Sequence, residues 1–282
     1  MSEHAEPRAP APRAKVFVEG RYLKHSRDLP QTVFFCPECK GHPRRRHGCE
    51  RCEGFGKLTR DSVQELIGWV LGAAFKTRKN KFHGAGREDV NVRMLGEGRP
   101  FVVELVGPKC FDVDLAACEA EINKRNAGRL EVRGLHWTEK SRVPQIKEER
   151  HAKEYRALVR VGAPVDPARV RAVAGPRRSI VQQTPERVAH RRANLERERW
   201  IEIVKAEPAS ETEVELVVRA QHGTYVKEAI SGEGGMTKPS VAELVGAPCE
   251  CVELDVLAIL GEGGEQQSAP RPRPGFGAFL DD

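Results

Sequence analysis

No stretch of this 282-residue sequence holds enough consecutive apolar residues to cross a bilayer. The opening Met-Ser-Glu-His-Ala-Glu-Pro-Arg contains none of the apolar core of a secretory leader. These absences exclude a helical membrane protein and predict a cytoplasmic one. Beyond two Cys-x-x-Cys units there is no internal repeat. Neither sign of charge dominates: 47 Lys and Arg stand against 41 Asp and Glu, for a net +6. The distribution says more than the total, because basic residues gather at 40–51, 76–81, 140–160, 169–178 and 187–199. Such clustering favours a polyanionic partner but does not choose between RNA and DNA. An apolar share of 39% supports a core, and 31% charged residues imply an extensive solvated surface. In a reducing compartment the eight cysteines read as metal ligands and core residues before disulfides.

Four regions follow from composition. Residues 1–30 form a largely disordered or extended lead, 31–58 a cysteine module, 59–260 one long α/β body, and 261–282 a Gly-, Gln- and Pro-rich tail expected to be disordered. Within the body, Ser62 and Glu65 form a capping box ahead of Val63, Leu66, Ile67, Val70, Leu71 and Ala74 at helical spacing. Residues 99–106 and 129–137 read as strands joined by a helix that starts near Asp112–Asp114 and stops at Gly128. Tyr155, Ala157, Val159 and Val161 alternate with Arg156, Leu158 and Arg160, as on a strand with one face on the core. Residues 200–206 and 213–221 predict a hairpin, Ser240 and Glu243 cap a short helix ending at Gly246, and 251–259 is a last strand. Connections through both hairpins and helices predict an α+β fold with a mixed, largely antiparallel sheet.

Cys36-Pro-Glu-Cys39 and Cys49-Glu-Arg-Cys52 are separated by nine residues. Each pair can turn two thiolates toward one tetrahedral ion, so Cys36, Cys39, Cys49 and Cys52 predict a structural zinc knuckle. Four thiolates close the coordination sphere and leave no position for a catalytic water. The unit also resembles the zinc repeats of DnaJ-type co-chaperones, a rival reading as a protein-binding module. It lacks their further repeats and any His-Pro-Asp motif, and leaves the following two hundred residues unexplained. Cys110, Cys118, Cys249 and Cys251 are expected in the core, with the last two thiols on opposite sides of their strand.

The densest chemistry lies at 84–100, Gly-Ala-Gly-Arg-Glu-Asp-Val-Asn-Val-Arg-Met-Leu-Gly-Glu-Gly-Arg-Pro. One carboxylate, Asp89, follows a glycine-rich turn and is surrounded in sequence by Arg87, Arg93 and Arg99, just before the strand-like Phe101-Val-Val-Glu-Leu-Val. This stretch resembles the pseudouridine synthases, and within them the Pus-ten branch of archaea and eukaryotes. Colinear likeness continues at Lys153-Glu-Tyr155-Arg, Gln183-Thr-Pro-Glu-Arg-Val-Ala-His190-Arg-Arg, Gly223-Thr-Tyr225-Val-Lys227-Glu, Thr237-Lys-Pro-Ser-Val and Glu253-Leu-Asp-Val, over roughly 36–260.

The resemblance implies a sheet whose middle carries a cleft for isomerising uridine to pseudouridine in tRNA. The implied site is the TΨC arm, at positions 54 and 55. Asp89 matches the catalytic aspartate and Lys227 the basic residue that partners it. Tyr155 matches the ring that lies against the flipped base, with Tyr225 supporting and Arg87 beside them. The basic run Lys76, Lys79, Lys81 and His83 matches a finger-like insertion that grips RNA, and Arg191 and Arg192 share that role. No metal, redox or nucleotide cofactor enters the chemistry, which detaches uracil from C1′ and rejoins it through C5; the one metal expected is structural zinc. A monomer is expected. This sequence departs from the branch at Asn91, where a second aspartate is common, and at Gln183, where an arginine precedes Thr-Pro. Only 35 residues precede Cys36, fewer than the branch's usual amino-terminal RNA-binding domain needs. The alternative within the family is an RNA-binding relative with little or no activity.

Overall fold

In the computed structural model, residues 14–189 and 193–261 are described. One ten-stranded sheet organises them, in the order β4-β1-β3-β10-β5-β8-β7-β6-β9, with β2 pairing β3 off that path. The strands are β1 (Lys15–Lys24), β2 (Lys79–Gly84), β3 (Arg93–Val106), β4 (Leu130–Thr138), β5 (Lys153–Val161), β6 (Gly175–Gln182), β7 (Arg197–Pro208), β8 (Glu213–Ala220), β9 (Thr237–Lys238) and β10 (Cys249–Ile259). Every strand pairing is antiparallel except β10 with β3. The sheet is therefore mixed and largely antiparallel, as expected.

Alternation decides which face is buried. Val16, Val18 and Tyr22 of β1, Phe101, Val103 and Leu105 of β3, and Ala157, Val159 and Val161 of β5 belong to one core cluster. Helices Val63–Ala74 and Leu115–Arg125 cover it at one end, and Val226–Ser231 and Val241–Val245 at the other. Ser62 caps the first helix by accepting the Glu65 N–H, while the Glu65 carboxylate takes the Ser62 hydroxyl and Lys57. At Ser240 and Glu243 both halves of the capping box form.

Several expectations need correction. Part of the stretch expected as a lead, Lys15–Lys24, is an interior strand between β3 and β4 with eight of its ten residues buried. The basic run expected as a finger is β2, in register with β3 from Lys79 opposite Val106 to Gly84 opposite Phe101. Cys118 and Cys249 are buried, but Cys110 is only half-buried. Cys249 and Cys251 pack against the same cluster, because residues two apart on a strand share a face. The tail from 262 onward lies outside the described residues, as do 1–13. Among the described residues no helix is long and apolar enough to cross a membrane.

Candidate active site and metal centre

β3 is long enough to have two neighbours on one side. Its carboxyl half pairs β2, and its first residues pair β10 through Arg93–Asp255 and Met94–Val256. Residues 85–92 leave β2 and re-enter β3 at the notch between those two neighbours. The topology thus places Asp89 at mid-sheet.

Buried polar groups hold this loop from beneath. Glu88 forms an ion pair with Arg99 at 2.9 Å, both side chains 1% exposed, and accepts the Tyr22 hydroxyl at 2.8 Å. Arg99 also donates to the Ala85 carbonyl at 2.7 Å, and Gln31 to the Gly86 carbonyl at 2.9 Å. Gly86 has φ +82°, and a Cβ there would come within 3.1 Å of the Arg99 guanidinium, so this turn takes glycine on both grounds. Lys24, fully buried, donates to the carbonyls of Leu29 (2.8 Å), Asp89 (3.1 Å) and Val90 (2.8 Å). Burial pulls its ammonium down to about 8, with Glu88 opposing the shift.

Asp89 itself is 35% exposed along its side chain and faces two cations from the far half of the sheet. Arg187 donates to Oδ2 at 3.0 Å and Lys227 donates to the same oxygen at 3.3 Å. Lys227 also donates to Asn91 Oδ1 at 3.1 Å. A neutral amide at 91 leaves the Lys227 charge to Asp89, where an aspartate would divide it. Arg187 is oriented by Glu228, which takes its Nε and Nη2, and its guanidinium lies 5.9 Å from the Tyr225 ring centroid. Tyr225 caps the helix that carries Lys227 and is tied to Gln182 through both its N–H and its carbonyl.

The cations that reach Asp89 are not its sequence neighbours. Arg93 makes a two-pronged pair with Asp255, Arg99 pairs with Glu88, and Arg87 is exposed. Arg187 escaped the sequence reading although it lies within the Gln183–Arg192 match. Lys24, Glu88 and Arg99 escaped it too, since only the fold brings β1 under the loop. Tyr155 lies on the core face of β5. Burial pushes its phenol up to about 12, with Arg99 and Glu88 the charges that act on it. The ring is therefore neutral and sits close to the groups beneath Asp89.

The proposed RNA-gripping residues fall elsewhere. Lys81 and His83 both reach Glu104, which alternates with the core residues Val103 and Leu105, so they occupy the sheet face opposite Tyr155. Lys79 shares their side of β2 by register, and Lys76 stands in the turn before it with φ +50°. His190, Arg191 and Arg192 lie outside the described residues.

The four knuckle cysteines converge, with ligand atoms all within 4.8 Å of one another. Cys36 and Cys49 sulfurs are 3.7 Å apart and those of Cys39 and Cys52 3.6 Å. A tetrahedral ion bound at ~2.3 Å requires sulfurs ~3.8 Å apart, so the donor set fits zinc. The module also exposes Phe34, Phe35 and Phe55.

Comparison with known proteins is consistent along the body. The family model described as Pus10, C-terminal, matches residues 17–260. Proteins named tRNA pseudouridine synthase Pus10 share 45% identity over 89% of this chain in Methanopyrus kandleri, 42% over 87% in Methanothrix thermoacetophila and 42% over 88% in Korarchaeum cryptofilum. The chain spans 57%, 54% and 66% of those three relatives. Overlap with solved structures is looser. A chain of the Cbf5-Nop10-Gar1 complex covers 70% of this chain, and 45% of itself is covered, at 16% identity and a TM-score of 0.40. The family match includes the cysteine knuckle, the Asp89 loop and the two cations that meet it, and the chain belongs to the Pus10 C-terminal family.

Proposed function

We propose that this chain is an RNA pseudouridine synthase acting on the TΨC arm of tRNA, at uridine 54, uridine 55 or both. The observation that carries the reading is the Asp89 carboxylate, accessible to solvent yet fixed by Arg187 and Lys227 at 3.0 and 3.3 Å on a rigidly anchored loop. The relatives' name, tRNA pseudouridine synthase, supports it. The reaction breaks the bond from C1′ to N1 of uracil, turns the base and forms a bond from C1′ to C5. The C5 proton is lost and N1 gains one, so nothing is oxidised and no group leaves the enzyme. A single carboxylate can serve by attack at C1′, by attack at C6 or by removing the C2′ proton. In each case the two cations orient the Asp89 carboxylate. Tyr155 supplies a flat neutral surface for a base turned out of its stack, and Tyr225 supports the group that holds Asp89. Arg87 is free to meet the RNA backbone. Of the basic run, Lys76 and Lys79 are exposed for peripheral phosphate contacts, while Lys81 and His83 are engaged by Glu104. Arg191 and Arg192 keep their proposed RNA role. Incubation with unmodified tRNA and chemical mapping should find pseudouridine at 54 or 55; an unmodified product after many equivalents of enzyme would end this reading.

The same reading takes Cys36, Cys39, Cys49 and Cys52 as ligands of one structural zinc. The ion would tie the knuckle together, and with four protein donors it takes no part in the isomerisation. One zinc per chain should co-purify, and Cys39→Ser should release it and expose residues 31–58 to proteolysis while the sheet, with its own core, stays folded. Metal analysis that finds no zinc in protein prepared without chelators would remove the assignment.

A further inference from the structure

Beside Tyr155 the cleft floor carries a cluster of donors that the isomerisation does not use. Lys153 precedes Tyr155 by two residues on β5 and so shares its face. It pairs in register with Ala220 of β8, and Ala220 pairs in turn with Ile201 of β7. Arg199, two residues before Ile201, occupies the same face one step further along. Beyond the end of β8 the chain runs His222-Gly223-Thr224 directly into Tyr225 and Lys227. A Cβ on Gly223 would lie 3.7 Å from Arg199 Nε, so the two segments touch.

These groups are short of acceptors. Arg199 Nε, His222 Nδ1 and Thr224 Oγ1 are buried atoms with no hydrogen-bond partner among the described residues. They are three of the seven such side-chain atoms, gathered at one spot. Lys153 donates to the His151 carbonyl at 3.0 Å, an acceptor without charge. Burial, with Arg99 adding to it, pulls the Lys153 ammonium down to about 7. His222 is held below its usual value by burial first, then by Lys153, Arg150, Arg199 and His151, all of them basic. Glu149, the nearest acid to His151, is already taken by His151 and Arg142. A buried guanidinium, amine, imidazole and hydroxyl with too few acceptors are costly when the site is empty. An anion would supply the acceptors and draw the lowered Lys153 and His222 back to their charged forms.

We propose that Lys153, Arg199, His222 and Thr224 bind one backbone phosphate of the RNA, adjacent to the nucleotide whose base rests on Tyr155. This rests on the reading above that the partner is RNA. A phosphodiester offers only acceptor oxygens and one negative charge, which matches a set composed of donors. A uracil ring presents an N–H of its own and no charge, so it would leave the Lys153 ammonium unbalanced. Gripping the phosphate beside the target would hold the backbone while the base turns out, five residues from the lysine that meets Asp89.

The test uses the full chain and an unmodified T-arm stem-loop in which single linkages near the target uridine are replaced by neutral methylphosphonates. One linkage should cost wild type about tenfold in affinity and cost Arg199→Gln less than about twofold, because the lost contacts are the same. Arg199→Gln should make the log–log salt dependence shallower by up to about one unit, the most that one phosphate contributes, and Lys153→Met should do so by less. Thermal midpoints establish that the variants fold. Should Lys153→Met fail, His222→Gln, in the turn after β8, provides the same linkage comparison. Losses that simply add at every linkage, or an unchanged salt slope, would overturn the site. Binding is read without turnover. RNA that binds as described but carries no pseudouridine would therefore sink the proposed reaction alone, and RNA that binds with no linkage dependent on Arg199 would sink this site alone.

Discussion

Asp89→Asn should lower turnover by on the order of 10⁴-fold or more while leaving RNA affinity within a few-fold of wild type. The substitution keeps shape and volume. Its amide oxygen can still accept from Arg187 and Lys227, so the loop stays in place and Lys24 continues to hold the Asp89 carbonyl. What disappears is the negative charge and the nucleophilic or basic oxygen, which every route to pseudouridine needs. Stability should change by less than ~1 kcal/mol, because the ion pairs lost are more than a third exposed on the Asp89 side and screened by solvent. Single-turnover assays on T-arm RNA, with affinity measured in parallel, separate the two effects. A purified Asn variant that turns over within tenfold of wild type would remove Asp89 from the chemistry.

How much of this site could be read in the sequence depends on what kind of signal each residue carries. Asp89 stands in a glycine-rich turn before an apolar alternation, which is local and visible. Lys227 stands out in the sequence only through family likeness, and the structure brings it to 3.3 Å from Asp89 across 138 residues. Arg93 and Arg99 looked like partners because they are close in sequence. Strand geometry sends them elsewhere: Arg93 sits in register with Asp255 of a different strand, and Arg99 turns inward to Glu88. Arg187 is brought in by a four-residue helix with no periodicity to detect. In β1, Val16-Phe17-Val18 and Tyr22-Leu23 are short continuous apolar runs with no alternation to mark a strand, and the Pro- and Ala-rich stretch before them suggests a lead rather than a central strand. The positive charge of β2 suggested a finger, yet its alternate residues Asn80 and Phe82 face inward, Phe82 stacking on Phe101. Charge pattern reports what is solvated, and pairing along the backbone is decided by neighbours far away in the chain.

The support under Asp89 should be the costliest part of the site to disturb. Glu88 is the carboxylate within reach of the buried Arg99 and Lys24, at 2.9 and 4.0 Å. Removing one partner from a buried pair leaves the other charge without compensation, so Glu88→Ala should cost ~3–5 kcal/mol of stability, well above the effect of Asp89→Asn. For a chain of this size that is a fall of roughly 10 °C in thermal midpoint. Glu88→Gln keeps the packing and isolates the charge. Glu88 is the strongest of the charges that raise the Lys24 ammonium against the pull of burial, ahead of Asp89 and Asp28, so without it Lys24 falls further and loses its proton nearer neutrality. A neutral amine has two hydrogens for three carbonyls, and the loop that presents Asp89 loosens. Turnover should then drop without any change at Asp89 itself. Combining Glu88→Gln with Arg99→Met should recover part of the lost stability, because the orphaned guanidinium goes with it. Denaturant unfolding of Glu88→Ala, Glu88→Gln, Arg99→Met and the Glu88→Gln/Arg99→Met double decides the matter. A loss below ~1 kcal/mol for Glu88→Ala, or strict additivity in the double variant, would mean that the charges beneath the loop do not act as one unit.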